Sequence, residues 1–235
     1  MNVDLLKKEL RKKASKGKAT ILSRFFKTGP GQYGYGDKFL GVVVPDIRQA
    51  IKGYVDLKLA DLQKLLNSHY HEERLAALLI LVLKYPYAGK TGQKQIYNFY
   101  LQNTKRINNW DLVDLTAEKI IGPYLTNKNK GILLKLAHSK NIWERRIAIL
   151  STFHYIKKGE NALTFQIAEI LLKDSHDLIH KAVGWMLREV GKRCGEKIED
   201  EFLKKHYKQM PRTMLRYAVE RYPENKRLKY LNSKI

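Results

Sequence analysis

Apolar side chains recur along nearly the whole chain at three- and four-residue intervals, the spacing of one face of a helix. Over residues 3–15, Leu5, Leu6 and Leu10 fall on one side and lysines on the other. Over residues 57–66, leucine stands at 57, 59, 62, 65 and 66. Residues 72–85 are almost wholly apolar after the first turn, the pattern of a buried helix. Helical periods continue at 132–137, 142–156, 163–172, 178–190, 198–207 and 214–222, and no run alternates long enough to suggest a sheet. Short breaks at 85–89, 122–123, 157–159, 174–175 and 222–223 carry Gly, Pro, Asp or Ser, so neighbouring helices should pack antiparallel. Asn141 and Ser175 precede helices and are expected N-caps. No linker is long or polar enough to divide the chain.

Five segments align when the chain is slid by 35 or 36 residues. They are Arg74-Leu-Ala-Ala-Leu78, Trp110-Asp-Leu-Val-Asp114, Arg146-Ile-Ala-Ile-Leu150, Lys181-Ala-Val-Gly-Trp185 and Arg216-Tyr-Ala-Val-Glu220. Their third and fourth positions are always small or apolar, and the first is basic in four of five. A fixed period of this size signals stacked helical pairs. First and fifth residues share a helix face. That face carries Arg74, Trp110, Asp114, Arg146, Lys181, Trp185, Arg216 and Glu220, a row unlike an ordinary solvated surface. The expected architecture is all-α, one helical-repeat domain over residues 1–235, with N-terminal helical pairs to about residue 66 and regular repeats over about 67–225.

Composition narrows the class of partner. The 235 residues include 45 Lys and Arg against 23 Asp and Glu, a net charge of +22, while 44% hydrophobic residues suffice for a packed core. Such an excess favours a polyanion, nucleic acid first, because neutralising phosphates releases condensed counterions. The single cysteine, Cys194, excludes an intramolecular disulfide and fits a reducing compartment. In Gly191-Lys-Arg-Cys-Gly195 it reads as an ordinary thiol. The N-terminus lacks a signal-peptide pattern, and the longest apolar run, 75–83, is too short to span a bilayer. A cytoplasmic or nucleoid-associated monomer with no membrane association is expected.

Candidate chemistry centres on Trp110 and Asp114. Asp111 lies between them, where the other repeats carry Leu, Ile, Ala or Tyr. A carboxylate among Arg146, Lys181 and Arg216 would stay ionised. It could stabilise a cationic sugar or orient water, or simply pair with an arginine. Exposed indoles attract flat or cationic groups. Arg145 and Arg146 point about 100° apart on a helix, and the repeat register puts Arg146 on the face of Asp114 and Arg145 off it. Residues 27–36 include Gly29-Pro-Gly-Gln-Tyr-Gly34, a literal dinucleotide-binding glycine pattern, but a helix precedes it and the loop runs on to Pro45, against the strand–turn–helix context that motif needs. Tyr33 and Tyr35, beside Lys27, either lie against nucleic acid or form a plain turn. His176 and His180 have ligand spacing without a third ligand, and His69 and His71 read as loop residues without partners. Neither metal nor cofactor is expected.

The combination of residues 27–48, Trp110-Asp-Leu-Val-Asp114, Asn141-Ile-Trp-Glu-Arg-Arg146 and Lys181-Ala-Val-Gly-Trp-Met-Leu-Arg-Glu189 resembles the AlkD-like DNA alkylation repair proteins over about residues 20–190. The resemblance implies a right-handed superhelix of HEAT-like pairs whose basic concave face cradles duplex DNA. It also implies hydrolysis of the N-glycosidic bond of N3- or N7-alkylated purines. Carried over by motif, Asp114 would be the catalytic carboxylate, Trp110 and Trp185 aromatic walls of the cleft, and Arg146 a phosphate contact. Arg74, Arg145, Lys181, Arg216, Lys27, Tyr33 and Tyr35 are the expected further DNA contacts. Two departures stand out: Phe25 occupies a place where some members carry tyrosine, and Val43 one where they carry a polar residue, so substrate preference is expected to differ. A non-catalytic binder of duplex or branched DNA and a protein-interaction scaffold are the competing functions; the charge disfavours the scaffold, and Asp114 with two tryptophans favours the enzyme.

Overall fold

A computed structural model describes residues 2–235. Helix makes up 70% of the chain and no strand forms among the described residues. The contacts gather into two compact units, Met1–Thr116 and Ala117–Ile235.

The first unit contains α1 (Val3–Lys12), α2 (Lys16–Phe25), α3 (Val44–Ile51), α4 (Leu59–Leu66), α5 (His71–Lys84), α6 (Gly89–Gln102) and α7 (Trp110–Asp114). Helix α1 buries Val3, Leu6 and Leu10, three points of one stripe, and leaves its lysines in water. Helix α5 is buried from His71 through Leu81, as its apolar run requires. It packs against α3, α4 and α7. The second unit contains α8 (Ala117–Tyr124), α9 (Gly131–Ala137), α10 (Ile142–Ser151), α11 (Phe153–Ile156), α12 (Ala162–Leu171), α13 (Asp177–Arg193), α14 (Glu196–His206), α15 (Arg212–Ala218) and α16 (Glu224–Leu231). Here α8, α10, α13 and α15 pack each on the next, with α9 and α12 alongside.

The five aligned segments fall on α5, α7, α10, α13 and α15, the last running into a 3-10 turn at Val219–Arg221. Every third-position residue (Ala76, Leu112, Ala148, Val183, Ala218) and every fourth (Ala77, Val113, Ile149, Gly184, Val219) is buried. The period therefore marks the buried edge of the repeating helix. At Gly184, a Cβ would sit 2.3 Å from the Met214 carbonyl, so glycine permits the close approach of α13 and α15.

Three local expectations are corrected. The helical pattern over 142–156 breaks at Thr152, where Ser151 and Thr152 hydroxyls donate to the Ile147 and Ile149 carbonyls at 2.6 and 2.7 Å; such back-bonding bends or ends helices. The N-cap of α13 is His176, whose Nδ1 accepts the Leu178 N–H at 3.1 Å, rather than Ser175. His71 is not a loop residue; it opens α5. Asn141 does cap α10, accepting the Trp143 N–H. Among the described residues, no helix is long and apolar enough to cross a membrane.

The segment between α2 and α3 lacks regular structure and is held by an isolated backbone bridge, Lys38 to Tyr70, and by side chains. The Glu72 carboxylate accepts the backbone N–H groups of Leu40, Gly41 and Val42 at 2.9, 2.8 and 3.2 Å. Gly41 adopts φ +82, and a Cβ there would meet the Ser15 carbonyl at 2.2 Å. Both the dihedral and the clash demand glycine. Gly41→Ala should destabilise the protein by roughly 2 kcal/mol or more, read as a lowered urea midpoint; an unchanged midpoint would show that this segment relaxes without cost.

Candidate functional site

Helix α7 has five residues, too few to persist on its own hydrogen bonds. Its start is fixed locally: Asn109 Oδ1 accepts the Trp110 N–H at 2.8 Å, and Asp111 Oδ1 accepts the Leu112 N–H at 2.9 Å. Its orientation is set from outside. Asp111 Oδ2 lies 2.8 Å from His71 Nε2. The Trp110 indole stacks on Phe26 with centroids 5.0 Å apart and planes 19° apart, and Phe25 meets its edge at 5.8 Å. Trp110 and Asp114 thus emerge from a helix clamped at its first turn.

The clamp belongs to a buried ionic cluster. His71 Nδ1 faces Asp37 Oδ2 at 3.2 Å. Asp37 Oδ1 accepts from Arg74 Nη2 at 2.7 Å and from Asn108 Nδ2 at 3.1 Å. With carboxylates on both ring nitrogens, both act as donors only if the imidazole is protonated. Burial, with Arg74 adding repulsion, opposes that charge; the Asp111 charge and the hydrogen bonds to Asp111 and Asp37 outweigh them, raising the His71 pKa to about 9. Burial likewise opposes the Asp37 charge, but His71 and Arg74 prevail and hold its pKa below the usual carboxylate value. Two cations and two carboxylates balance. The imidazolium is also stacked on Phe39 at 4.7 Å and lies tilted against Phe26 at 5.0 Å, so an aromatic column runs from the cluster to Trp110.

The remaining expected site residues have distinct placements. In the first unit, Arg74 is 4% exposed and engaged with Asp37 and the Ser68 carbonyl. Its guanidinium is thus engaged inside the fold. Lys27, with φ 55, is exposed and its carbonyl accepts the Gly34 N–H, closing the glycine loop; Tyr35 projects from that loop 67% exposed, and Tyr33 is half-buried. In the second unit, Arg145 forms two hydrogen bonds to Asp174 and donates to the Ser139 and Lys140 carbonyls. Arg146 is 5% exposed and donates to the Leu178 carbonyl. Lys181 pairs with Asp177 at 2.7 Å, Trp185 is half-buried 6.1 Å from Phe153, and Arg216 is exposed. Sequence reasoning missed His71 and Asp37. The signal was Asp111, a carboxylate at a register position that is apolar or aromatic in the other repeats.

Trp110 and Asp114 line a cavity of about 440 Å³ in the first unit, walled mainly by apolar side chains of α2, α3 and α5. Of its other polar members, Glu72 binds backbone N–H groups, and His71 and Asp111 bind each other. The charged His71 carries a pH signature. Because its folded pKa lies above 6.5, its stabilisation is complete below that value and is lost as pH rises through about 9. The stability gap between the protein and His71→Gln should therefore be on the order of 3 kcal/mol wider at pH 6 than at pH 10, measured by urea unfolding. A gap independent of pH would contradict a charged His71.

The model of the DNA alkylation repair enzyme family matches residues 6–222. The fold is similar to that of a solved structure described as a predicted DNA alkylation repair enzyme from Enterococcus faecalis. That match has a TM-score of 0.70 and 16% identity, and covers 90% of this chain and 98% of the other. No curated protein matches the chain. The family match spans nearly the whole sequence, and the chain belongs to the DNA alkylation repair enzyme family.

Proposed function

We propose that this chain is a monofunctional DNA glycosylase that hydrolyses the N-glycosidic bond of N3- or N7-alkylated purines in duplex DNA. The observation that carries the reading is the pairing of Asp114 with Trp110 on one clamped helix beside an apolar cavity, in a protein of net charge +22. Asp114 is the catalytic carboxylate. Asp111 is committed to His71, which leaves the two acids of α7 with different tasks.

The chemistry asks little of the protein. An N3- or N7-alkylated purine already carries positive charge, so it departs as a neutral base when the C1′–N bond breaks and its electron pair goes to nitrogen. What remains is an oxocarbenium-like sugar. Asp114 stabilises that charge through space and orients a water whose oxygen bonds C1′; the water's proton passes through the carboxylate to solvent. Trp110 and Trp185 offer aromatic faces to cationic groups, and Arg146 contacts phosphate. No metal or organic cofactor enters the scheme. The basic surface supplies affinity that falls steeply with salt.

Incubation with duplex containing 7-methylguanine should release the free base. Asp114→Asn should slow that release by about 10²–10³, the cost of removing one electrostatic stabiliser, while duplex affinity is kept. Tight, salt-sensitive duplex binding without release by the unmodified protein would favour a non-catalytic binder; normal release by Asp114→Asn would remove Asp114 from the catalytic role.

A further inference from the structure

A second concavity of the first unit, of about 180 Å³, shares no lining residue with the apolar cavity beside Asp114. It lies where the end of the glycine loop, the turn before α5 and a 3-10 turn at Thr104–Arg106 come together. Lys105 and Arg106 line it; both are exposed, and among the described residues neither forms an ion pair. The carboxylate in the lining, Asp37, is already committed: Oδ1 accepts from Arg74 and Asn108, and Oδ2 faces His71. The charge of the two surface cations is therefore unopposed inside the pocket.

Arg74 also lines this pocket. Its Nη groups donate to Asp37 and to the Ser68 carbonyl, yet Nε has no hydrogen-bond partner among the described residues, although the side chain is only 5% exposed. A buried N–H without an acceptor costs free energy, and native proteins rarely tolerate one. His69 and Tyr35 bring further N–H and O–H donors to the wall. Gly36, at φ +87, has nothing within 4 Å of where a Cβ would stand, so that side of the pocket is bare backbone. Donors and surplus positive charge in a polar hollow call for a compact anion with several oxygens. A phosphate group has that form, and the volume is ample, since a cavity of about 150 Å³ accepts benzene.

We propose that this pocket is a phosphate site, in which Lys105, Arg106 and His69 contact the phosphate oxygens and the Arg74 guanidinium forms the floor. In a DNA repair protein the phosphate is that of a duplex backbone. Arg74 then serves two purposes. It donates to Asp37 within the cluster that holds α7, and it faces the strand. A phosphate seated here registers the backbone against the helix that carries Trp110 and Asp114. The inference requires only a phosphate-bearing ligand and does not depend on the role of Asp114.

The test needs no base release. Inorganic phosphate is titrated into the protein at constant ionic strength, and the Gly36 backbone amide and the Asn108 side-chain amide are followed by NMR. Both should shift saturably with a Kd on the order of 1 mM, the affinity that a few charge-assisted hydrogen bonds supply. Acetate at the same ionic strength should leave them in place. The double variant Lys105→Ala/Arg106→Ala, its folding verified by an unchanged urea midpoint in chloride buffer, should bind phosphate at least about tenfold more weakly. No saturation below about 20 mM phosphate, equal shifts with acetate, or an unchanged Kd in the double variant would overturn the site. An undamaged duplex then separates the sources. For a backbone phosphate, inorganic phosphate competes with the duplex, and the double variant lowers the slope of log Kd against log salt by about 1. An unchanged slope, with phosphate binding still lost in the variant, would remove the duplex as the source and assign the site to a free phosphomonoester.

Discussion

A protonated histidine held between two carboxylates fixes the candidate site. His71 contacts Asp37 at 3.2 Å and Asp111 at 2.8 Å, and Arg74 closes the set through Asp37. Such clusters are all-or-nothing. Complete, the two positive and two negative charges cancel and each carboxylate oxygen has donors. With one member removed, a buried charge is left without its partner, which costs several kcal/mol in comparable pairs. The three segments joined are the end of the glycine loop, the start of α5 and the first turn of α7. Backbone hydrogen bonds of Lys38 with His69 and His71 tie the first two, and the His71–Asp111 contact ties α7 to them.

The consequence for chemistry is positional. A helix of five residues has no stiffness of its own, yet Asp114 stands at its last position and Trp110 at its first. Anchoring Asp111 to His71 and stacking Trp110 on Phe26 fix the start of that short element, the first of these contacts directly to the buried helix α5. A preorganised carboxylate does not have to reorient as charge develops on the sugar, and in the proposed mechanism that economy is most of what the protein supplies. The same aromatic residues that brace Trp110, Phe25 and Phe26, also wall the cavity.

The sequence made the repeating helices legible because their burial is periodic. Ala76, Leu112, Ala148, Val183 and Ala218 mark one buried edge at a regular interval, and that pattern needs no knowledge of tertiary contacts. Boundaries followed within a few residues, except where side-chain hydroxyls at Ser151 and Thr152 compete for backbone carbonyls. The site was legible in part. Trp110 and Asp114 were visible as residues out of keeping with their repeat. His71 was not, because its partners lie 34 and 40 positions away and no periodicity links them. Nor could the sequence show the internal partners of Arg74 and Arg145, because the fold alone brings Asp37 and Asp174 to them. Charge counts cannot separate cations that face a ligand from those spent on the fold.

The most direct test of this account is the protonation state of His71, read from the side-chain ¹⁵N resonances of the imidazole across pH. The account predicts both ring nitrogens protonated at neutral pH, with titration near pH 9. A single neutral tautomer at pH 7.5, titrating near the ordinary histidine value of about 6.5, would contradict it.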